Sequence, residues 1–343
     1  MSQYRIKKPV RLYEFFSGIG AQSSALERLG VDYEVFKTSD WDVNSVKSYK
    51  AIHCSNDNTD YSAKLTREEI AEALIKMCIS NDGKAPMTEA QIKKKNEKWQ
   101  RDTYNDFRAT NNLGSITEIH AEDLQIDNEN YENILFYSFP CTDISNAGLQ
   151  KGFKKGTATR SSMLWQVERI LDECNELNCL PKILMMENVA AIHNKKNMDD
   201  FQMWLDTLSN LGYKSFWQDL SSKDYGVGQS RLRCFCISIL TDSDEDEYIF
   251  PEPIPLEYRL KDYLEDKVDE KYYIDNEKAD KLIEQLIQRG VLPFNKDKQL
   301  VYLSQKATCF DKEADIACAL LARDWKGPGN QMFNMVIEEA IDE

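Results

Sequence analysis

An alternation of apolar runs with helical patterns constrains the fold of this chain more than any other feature. The segment VRLYEFFSGIGAQSSALERLG, residues 10–30, has the pattern of a strand, a glycine turn and an amphipathic helix. Further apolar runs and helical patterns follow, in turn, at Asn133–Phe139, Met163–Cys174, Lys182–Val189, Asp200–Gly212 and Arg233–Leu240. Near-continuous apolar strands that alternate with helices predict an α/β fold with a largely parallel sheet and helices on both faces.

Two interruptions of this alternation predict the domain organisation. Residues 55–114 contain two helical patterns that each begin with a capping box, at Thr66 and at Thr88. We predict that they form a helical insertion within a main domain at 1–245. An acidic stretch followed by prolines ends this domain, and residues 246–343 form a smaller C-terminal region.

Charge and cysteine content limit the classes of partner. A net charge of −15 over 343 residues argues against general, charge-driven affinity for nucleic acid. The local exception is Gln150–Arg160, which has four basic residues and no acid and predicts a positive loop. Nine cysteines without a repeated spacing and only three histidines predict neither a disulfide framework nor a metal site. The sequence shows no membrane-spanning run, and we expect a reduced, cytoplasmic setting.

Glycine and acidic residues fall at the predicted carboxyl ends of the strands, where open α/β sheets bind ligands. Gly18 and Gly20 in FFSGIGA let backbone amides approach an anionic group at a helix N-terminus. Asp40 follows the turn by about twenty residues, a spacing typical of an acid that binds ribose, and Trp41 offers a flat surface for adenine. With Asp123 as a second acid, these residues predict a pocket for an adenosine-containing cofactor.

Cys141 follows a proline at the end of an apolar run, in the segment SFPCTDIS. A cysteine in this position fits two interpretations, a small core residue or a reactive thiol held on a turn. Packing is the commoner of the two roles. Composition and local pattern leave both open.

Four sequence blocks narrow the choice. FSGIGA, FPCTDIS, MENV and QSRLR occur in an order and at intervals that resemble the DNA cytosine-5 methyltransferases, over residues 9–240, and phage or mobile-element members most of all. The resemblance implies a Rossmann-like sheet, S-adenosylmethionine as cofactor and double-stranded DNA as partner, in a bacterial or phage-infected cell. It also implies methyl transfer to carbon 5 of a flipped cytosine through a covalent cysteine adduct.

The resemblance assigns four residues to the chemistry. Cys141 matches the Pro-Cys nucleophile that adds to carbon 6 of the base, and the loop Gln150–Arg160 is expected to favour its thiolate. Glu187 in MENV matches the glutamate that hydrogen-bonds N3 and N4. Arg231 and Arg233 match two arginines near the flipped base and its phosphates, with Arg233 the expected contact to cytosine O2.

The resemblance also implies a set of cofactor contacts. They are Phe16, Gly18, Gly20, Asp40, Trp41, Asp123 and Pro140. Ordinary structural roles remain open for three of them, because Phe16 and Trp41 are equally suited to be core aromatics and Asp123 to cap a helix.

The chain departs from the family pattern in three places. Thr142 replaces the usual glutamine, and Asp40 is one methylene shorter than the usual glutamate. The Arg-x-Leu-Thr-Pro-x-Glu block and the Gly-Asn-x-Val helix are not recognisable, although Gly329 and Asn330 occur in another context. We therefore expect residues 246–343 to be a partial target-recognition region, in a shortened enzyme or in one completed by a second polypeptide.

Two alternative functions remain open from the sequence. One is a relative that methylates tRNA, and the other is a subunit that binds cofactor but needs a partner chain for activity. A zinc cytosine deaminase requires His-x-Glu and Pro-Cys-x-x-Cys, and PCTD lacks the second cysteine. That class is excluded.

Overall fold

The computed structural model describes residues 2–144, 152–157, 159–243, 246–265, 267–272, 277, 280, 281, 284, 288, 299–302, 316–319 and 334–337. The chain divides into two units. The first comprises Met1–Asp219 and Arg233–Phe250, and the second comprises Leu220–Leu232 and Pro251–Glu343.

Strands in the described residues alternate with helices as the sequence predicted. The strands are β1 (Ser2–Gln3), β2 (Val10–Phe15), β3 (Tyr33–Ser39), β4 (Glu132–Tyr137), β5 (Ile183–Val189), β6 (Tyr213–Ser221), β7 (Gln229–Ser230), β8 (Leu232–Leu240), β9 (Asp246–Glu247), β10 (Gln299–Tyr302), β11 (Ala317–Cys318) and β12 (Asn334–Ile337). The helices are α1 (Ala21–Arg28), α2 (Val43–His53), α3 (Arg67–Lys76), α4 (Glu89–Lys94), α5 (Glu97–Ala109), α6 (Ala121–Leu124), α7 (Leu164–Glu176) and α8 (Met198–Asn210). No helix among the described residues is long and apolar enough to cross a membrane.

A six-stranded sheet in the order β3-β2-β4-β5-β8-β6 is the frame of the first unit. β2 pairs in parallel with β3 and β4, and β4 pairs in parallel with β5. β8 runs antiparallel to β5. The predicted α/β class is confirmed, and the sheet is mixed because its fifth strand is reversed. The first residues of β8 therefore lie at the edge where the parallel strands end.

The two faces of the sheet are covered by different helices. Tyr13, Leu135 and Leu184 lie side by side on one face and share a buried core with residues of α7 and α8. Glu14 points to the opposite face, where Ser23 of α1 and Tyr49 of α2 hydrogen-bond its carboxylate. Burial raises the pKa of Glu14, and the two hydroxyls oppose that shift by hydrogen-bonding its charged form. Both faces are therefore sealed, and the strand ends remain as the place for a site.

Helices α3, α4 and α5 lie within residues 55–114, where the sequence predicts an insertion. Both capping boxes are present, with Thr66 paired to Glu69 and Thr88 paired to Gln91. Ile70 and Leu74 of α3 are fully buried in a small core that also contains Val46 of α2. The insertion thus has an apolar cluster of its own, anchored on the main domain.

The second unit is described only in part. In it β7 pairs in parallel with β11, Tyr225 pairs with Ile254, and β10 pairs antiparallel with β12. Gly329 and Asn330 lie outside the described residues. The predicted boundary near residue 245 stays a prediction, and the structure assigns Leu220–Leu232 to the second unit.

Candidate active site

The glycine turn after β2 has an unusual backbone. Phe16, Gly18 and Gly20 all adopt positive φ, at 55°, 55° and 78°. This conformation strains the backbone of Phe16, and proteins tend to retain such strain at functional sites. The turn is closed by the Gly20 amide donating to the Ser17 carbonyl at 2.9 Å, and it leads directly into α1.

The two glycines have different reasons to be glycine. A Cβ at Gly20 would lie 2.4 Å from His53 Nε2 and 2.6 Å from Tyr49 Cε2, so the position needs glycine for packing as well as for φ. A Cβ at Gly18 would have only the Phe16 carbonyl oxygen near it, at 4.0 Å. The backbone at Gly18 therefore faces open space in which a ligand can approach it closely.

Asp40 supports this turn from the end of β3. Its Oδ2 accepts from the Gly18 amide at 2.9 Å and its Oδ1 accepts from the Asp42 amide at 2.8 Å. Burial raises the pKa of Asp40 to about 6, against the lowering effect of these two hydrogen bonds. The predicted ribose acid thus already shapes the glycine turn, and each carboxylate oxygen retains a lone pair for a ligand hydroxyl.

The surroundings of the turn fit a polar cofactor. Ser17 is 5% exposed, and its Oγ has no hydrogen-bond partner among the described residues. A buried hydroxyl without a partner is costly unless a ligand or water satisfies it. Together with the open space at Gly18 and the partly exposed Trp41, this hydroxyl gives the turn both a polar and a flat surface, as the predicted cofactor requires.

Asp123 is exposed and has a local structural role. It accepts a hydrogen bond from the His120 amide at 2.9 Å and so caps the short helix α6. This is the ordinary role that the sequence left open for it. A cofactor contact at Asp123 stays a prediction.

Cys141 lies on a turn at the end of β4 and is partly exposed. Its carbonyl accepts from the Ile144 amide at 3.0 Å, which closes the turn. The two residues before Pro140 connect this turn to the ends of the strands on either side, β2 and β5. Ser138 Oγ donates to the Phe16 carbonyl at 3.4 Å, and the Phe139 carbonyl accepts from Asn188 Nδ2 at 3.0 Å. The thiol is therefore not enclosed in the core.

Glu187 and Arg233 form an ion pair at the same edge of the sheet. Arg233 Nε lies 2.9 Å from Glu187 Oε1, and the two side chains are 19% and 22% exposed. The reversal of β8 makes this contact, because it places Arg233 opposite Val189 near the end of β5. Asn188, between Glu187 and Val189, hydrogen-bonds both the Val189 amide and the Phe139 carbonyl, and so supports its own strand end and the turn before Cys141.

Arg231 belongs to the second unit and is exposed. Its backbone is held by Ser222, whose amide donates to the Arg231 carbonyl at 3.2 Å and whose Oγ accepts from the Arg231 amide at 3.1 Å. The predicted role of Arg231 near the base stays a prediction.

One lysine of the predicted positive loop is paired with an acid outside the loop, which partly offsets the loop's positive charge. Lys155 forms an ion pair with Glu168 of α7 and lies 5.4 Å from the centre of the Trp165 ring. Lys151 lies outside the described residues, and Arg160 is exposed. The loop's effect on the Cys141 thiolate stays a prediction.

A second polar cluster lies where β5, β6 and β8 are neighbours. His193, Asp219 and Cys234 offer ligand atoms within 4.8 Å of one another. The same atoms also satisfy one another, because His193 Nε2 lies 2.9 Å from Asp219 Oδ1 and the buried Cys234 thiol hydrogen-bonds Asp219. Hydrogen bonding explains the cluster without an ion, and we assign it no metal.

Sequence reasoning missed two residues at this edge. Ser17 lies within the glycine turn FFSGIGA. The sequence could have indicated it, because its hydroxyl is the only polar side chain in that segment of apolar and glycine residues. Asp143, which follows Cys141 by two residues, is buried, and its Oδ2 accepts from the amides of Arg160 and Ser161. Its partners lie far along the chain, so no local pattern could reveal them.

Comparisons with known proteins agree with this geometry. Residues 75–313 match the family described as C-5 cytosine-specific DNA methylase. The chain is 37% identical over 271 residues to the orphan methyltransferase M.SssI of Spiroplasma monobiae, which covers 78% of this chain and 68% of that protein. It is 34% identical over 268 residues to the type II methyltransferase M2.ScrFI of Lactococcus lactis subsp. cremoris, with 78% and 71% covered.

A solved methyltransferase structure from Entamoeba histolytica shares the fold, with a TM-score of 0.51, 18% identity, and 89% of this chain and 74% of that chain covered. The matched family region contains the Pro-Cys turn, Glu187 and both arginines. The alternative of a tRNA-methylating relative or a subunit without activity of its own is not favoured by these matches. The chain belongs to the C-5 cytosine-specific DNA methylases and is an S-adenosylmethionine-dependent enzyme that methylates carbon 5 of cytosine in DNA.

Proposed function

We propose that Cys141 is the nucleophile of this methyltransferase and that Glu187 and Arg233 bind the target cytosine beside it. One observation carries the proposal: hydrogen bonds join the three neighbouring strand ends. They run from Phe16 to Ser138 and from Phe139 to Asn188, so the glycine turn, the thiol and the acid share one edge of the sheet.

The chemistry requires each of these groups. Addition of the Cys141 thiolate forms a bond from sulfur to carbon 6 and leaves an electron pair on carbon 5. As negative charge spreads toward N3, N3 takes up a proton, and Glu187 accepts hydrogen bonds from N3–H and from the N4 amino group. Arg233 orients Glu187 and contacts O2, and the N3 proton is released when the ring is restored. S-adenosylmethionine supplies the methyl group. Loss of the carbon 5 proton and departure of the sulfur then restore the aromatic ring and the thiolate.

The cofactor residues follow from the turn geometry. Gly18 offers open space beside its backbone and Ser17 an unsatisfied hydroxyl, while Asp40 holds the turn in place and would accept from the ribose. Trp41 and Phe16 would hold the adenosine, and Pro140 would contact the cofactor next to the nucleophile. Asp123 completes the set that the family resemblance implies.

Adduct trapping tests the nucleophile. Duplex DNA that contains 5-fluorocytosine cannot lose a proton from carbon 5, so a competent enzyme stays bonded to it when cofactor is present. We expect the wild-type chain to form this adduct and Cys141→Ser to form none, with cofactor affinity nearly unchanged. Cys54→Ser, a second partly exposed cysteine, is the matched control and should behave as wild type. An adduct in Cys141→Ser would show that another residue attacks.

A further proposal concerns how the DNA sequence is recognised and whether a second polypeptide takes part. We propose that residues 246–343 take part in reading the DNA sequence, and that the family block not recognised in this sequence is either dispensable in a shortened enzyme or supplied by a second polypeptide. A setting in a bacterial or phage-infected cell stays a prediction. Bisulfite sequencing of DNA from cells that express this chain alone tests these points together. Methylated cytosines in one sequence context would give the target and would contradict the need for a second polypeptide.

A further inference from the structure

The turn that contains Cys141 is held by one buried acid. Asp143 is 4% exposed, and its Oδ2 accepts from the Arg160 amide at 2.9 Å and from the Ser161 amide at 3.4 Å. Its carbonyl accepts from the Gly152 amide at 2.8 Å. Hydrogen bonds to an ionised acceptor are stronger than neutral ones. Asp143 thus ties the segment just after the nucleophile to a segment 17 residues further along the chain.

Ser161 completes the connection from the other side. It is fully buried, and its Oγ donates to the Pro140 carbonyl at 2.7 Å while accepting from the Asp143 amide at 3.2 Å. One hydroxyl therefore bonds the residue before Cys141 and the second residue after it. The five hydrogen bonds of Asp143 and Ser161 named here form what we call the Asp143–Ser161 clasp.

The clasp fixes the backbone on both sides of the thiol without occupying the position of the base. Its contacts are made by buried groups, whereas Cys141 itself is partly exposed. A nucleophile must lie within a few tenths of an ångström of its attack geometry, because a misplacement of about 1 Å can cost about a hundredfold in rate. The groups that hold its backbone therefore act on the chemical step.

We infer that Asp143 and Ser161 are positioning residues, which hold the Cys141 thiol in line for addition to carbon 6. The inference rests on the proposed function of Cys141 as nucleophile. Neither residue needs to touch the base or the cofactor. Removing the clasp should slow adduct formation and leave the binding of DNA and cofactor largely intact.

The chain offers a matched control at the opposite end of β4. Glu132 is also a buried acid, 4% exposed, and it also accepts from a backbone amide, that of Lys7 at 3.4 Å, and from the Tyr4 hydroxyl. It begins the strand that leads to Cys141, on the edge away from the turn. Loss of Glu132 should destabilise the same strand without releasing the nucleophile.

The experiment measures single-turnover adduct formation with 5-fluorocytosine duplex DNA, at saturating cofactor and DNA, on the full chain. Asp143→Ala and Ser161→Ala should slow the step by about tenfold to a hundredfold, with the dissociation constants of DNA and cofactor within about twofold of wild type. Asp143→Asn keeps an acceptor oxygen but no charge, so its rate of adduct formation should lie between those of wild type and Asp143→Ala. Ser161→Thr keeps the hydroxyl and should recover most of the rate, while Glu132→Gln should lower the melting temperature and keep the rate.

The possible results separate this inference from the proposed function. An unchanged rate in folded Asp143→Ala, or an equal loss in Glu132→Gln at equal loss of melting temperature, would overturn the inference alone. Should Asp143→Ala fail to fold, the Ser161 pair decides, because equal rates in Ser161→Ala and Ser161→Thr contradict positioning through the hydroxyl. Failure of wild type to form an adduct, or an adduct in Cys141→Ser, would instead overturn the proposed function and the inference with it.

Discussion

At the scale of single residues, the ion pair of Glu187 and Arg233 affects both the charge and the orientation of the Glu187 carboxylate. The two groups lie 2.9 Å apart and are both about one-fifth exposed, so water screens their attraction only in part. The guanidinium restricts the rotamers of the acid, which we propose to act as acceptor for the base. In the proposed site, N3 gains a proton as the thiolate adds, so a carboxylate that accepts from N3–H and from the N4 amino group stabilises the transition state more than the ground state, in which N3 carries no proton.

Replacing Glu187 by glutamine tests this role. The change keeps the shape of the side chain but removes its charge, and we expect kcat to fall by about a hundredfold to a thousandfold with cofactor affinity unchanged. Glu34→Gln is the control, since Glu34 pairs with Arg11 at 3.0 Å in the same type of contact elsewhere on the sheet. Steady-state methylation kinetics measure both. Equal losses in the two variants would contradict a specific role for Glu187.

Asp40 gives a pH dependence whose sign is fixed by its environment. Burial, with the neighbouring Asp42 charge as a smaller cause, raises the pKa of Asp40 to about 6. In the proposed site a ribose hydroxyl would donate to the ionised carboxylate, so cofactor binding would favour loss of the proton. We expect the dissociation constant of S-adenosylmethionine to be constant well above pH 6 and to rise as the pH falls through 6, by up to about tenfold per pH unit.

Calorimetric titration at several pH values measures this dependence. Asp40→Asn has no proton to exchange at this position, so its cofactor affinity should be weaker than that of wild type above pH 6 and nearly flat between about pH 5 and 8. The same slope in wild type and variant would assign the pH dependence to another group. It would also show that Asp40 shapes the glycine turn without contacting the ribose.

At the scale of secondary structure elements, local signals were predictable and long-range pairings were not. The glycine turn, the capping boxes at Thr66 and Thr88, and the strand that leads to Cys141 each follow from a few adjacent residues. The apolar run of β8 would look the same for a parallel or an antiparallel strand, so the sequence could not predict that β8 runs antiparallel to β5. The proximity of Glu187 and Arg233 came from the family resemblance, and the bonds of Asp143 to residues 160 and 161 had no signal at all.

The insertion provides a prediction at this scale. Thr66→Ala removes the side-chain acceptor for the Glu69 amide at the start of α3 and should cost about 1 kcal/mol in the free energy of unfolding. Ser48→Ala is the control, because Ser48 lies within α2, is exposed and bonds only the Asn44 carbonyl. Urea unfolding followed by circular dichroism measures both. Cofactor affinity should stay unchanged in Thr66→Ala, and a stability loss no larger than that of Ser48→Ala would contradict the capping role.

At the scale of the whole molecule, an acidic protein has to bind an acidic polymer. Its 58 acidic residues exceed its 43 basic ones, so the total charge opposes association with DNA. Specific binding must then depend on a small number of basic side chains that contact phosphates. Each such contact releases counterions, and the salt dependence of binding counts them. Arg231, exposed in the second unit and predicted to lie near the phosphates of the flipped base, is the residue to test.

Arg231→Ala should weaken DNA binding and reduce the slope of log K against log salt by about 1, for cognate and unrelated duplexes alike. Arg28→Ala is the control, because Arg28 is exposed at the end of α1, which runs back from the ligand-binding edge of the sheet, and its loss should leave the slope unchanged. Fluorescence anisotropy over a salt series measures the slope. A variant that keeps the wild-type slope but loses methylation would place Arg231 at the base instead of the phosphate. The opposite result, a lower slope with a normal chemical step, would assign Arg231 to the backbone and leave Arg233, paired with Glu187, as the arginine that acts on the cytosine.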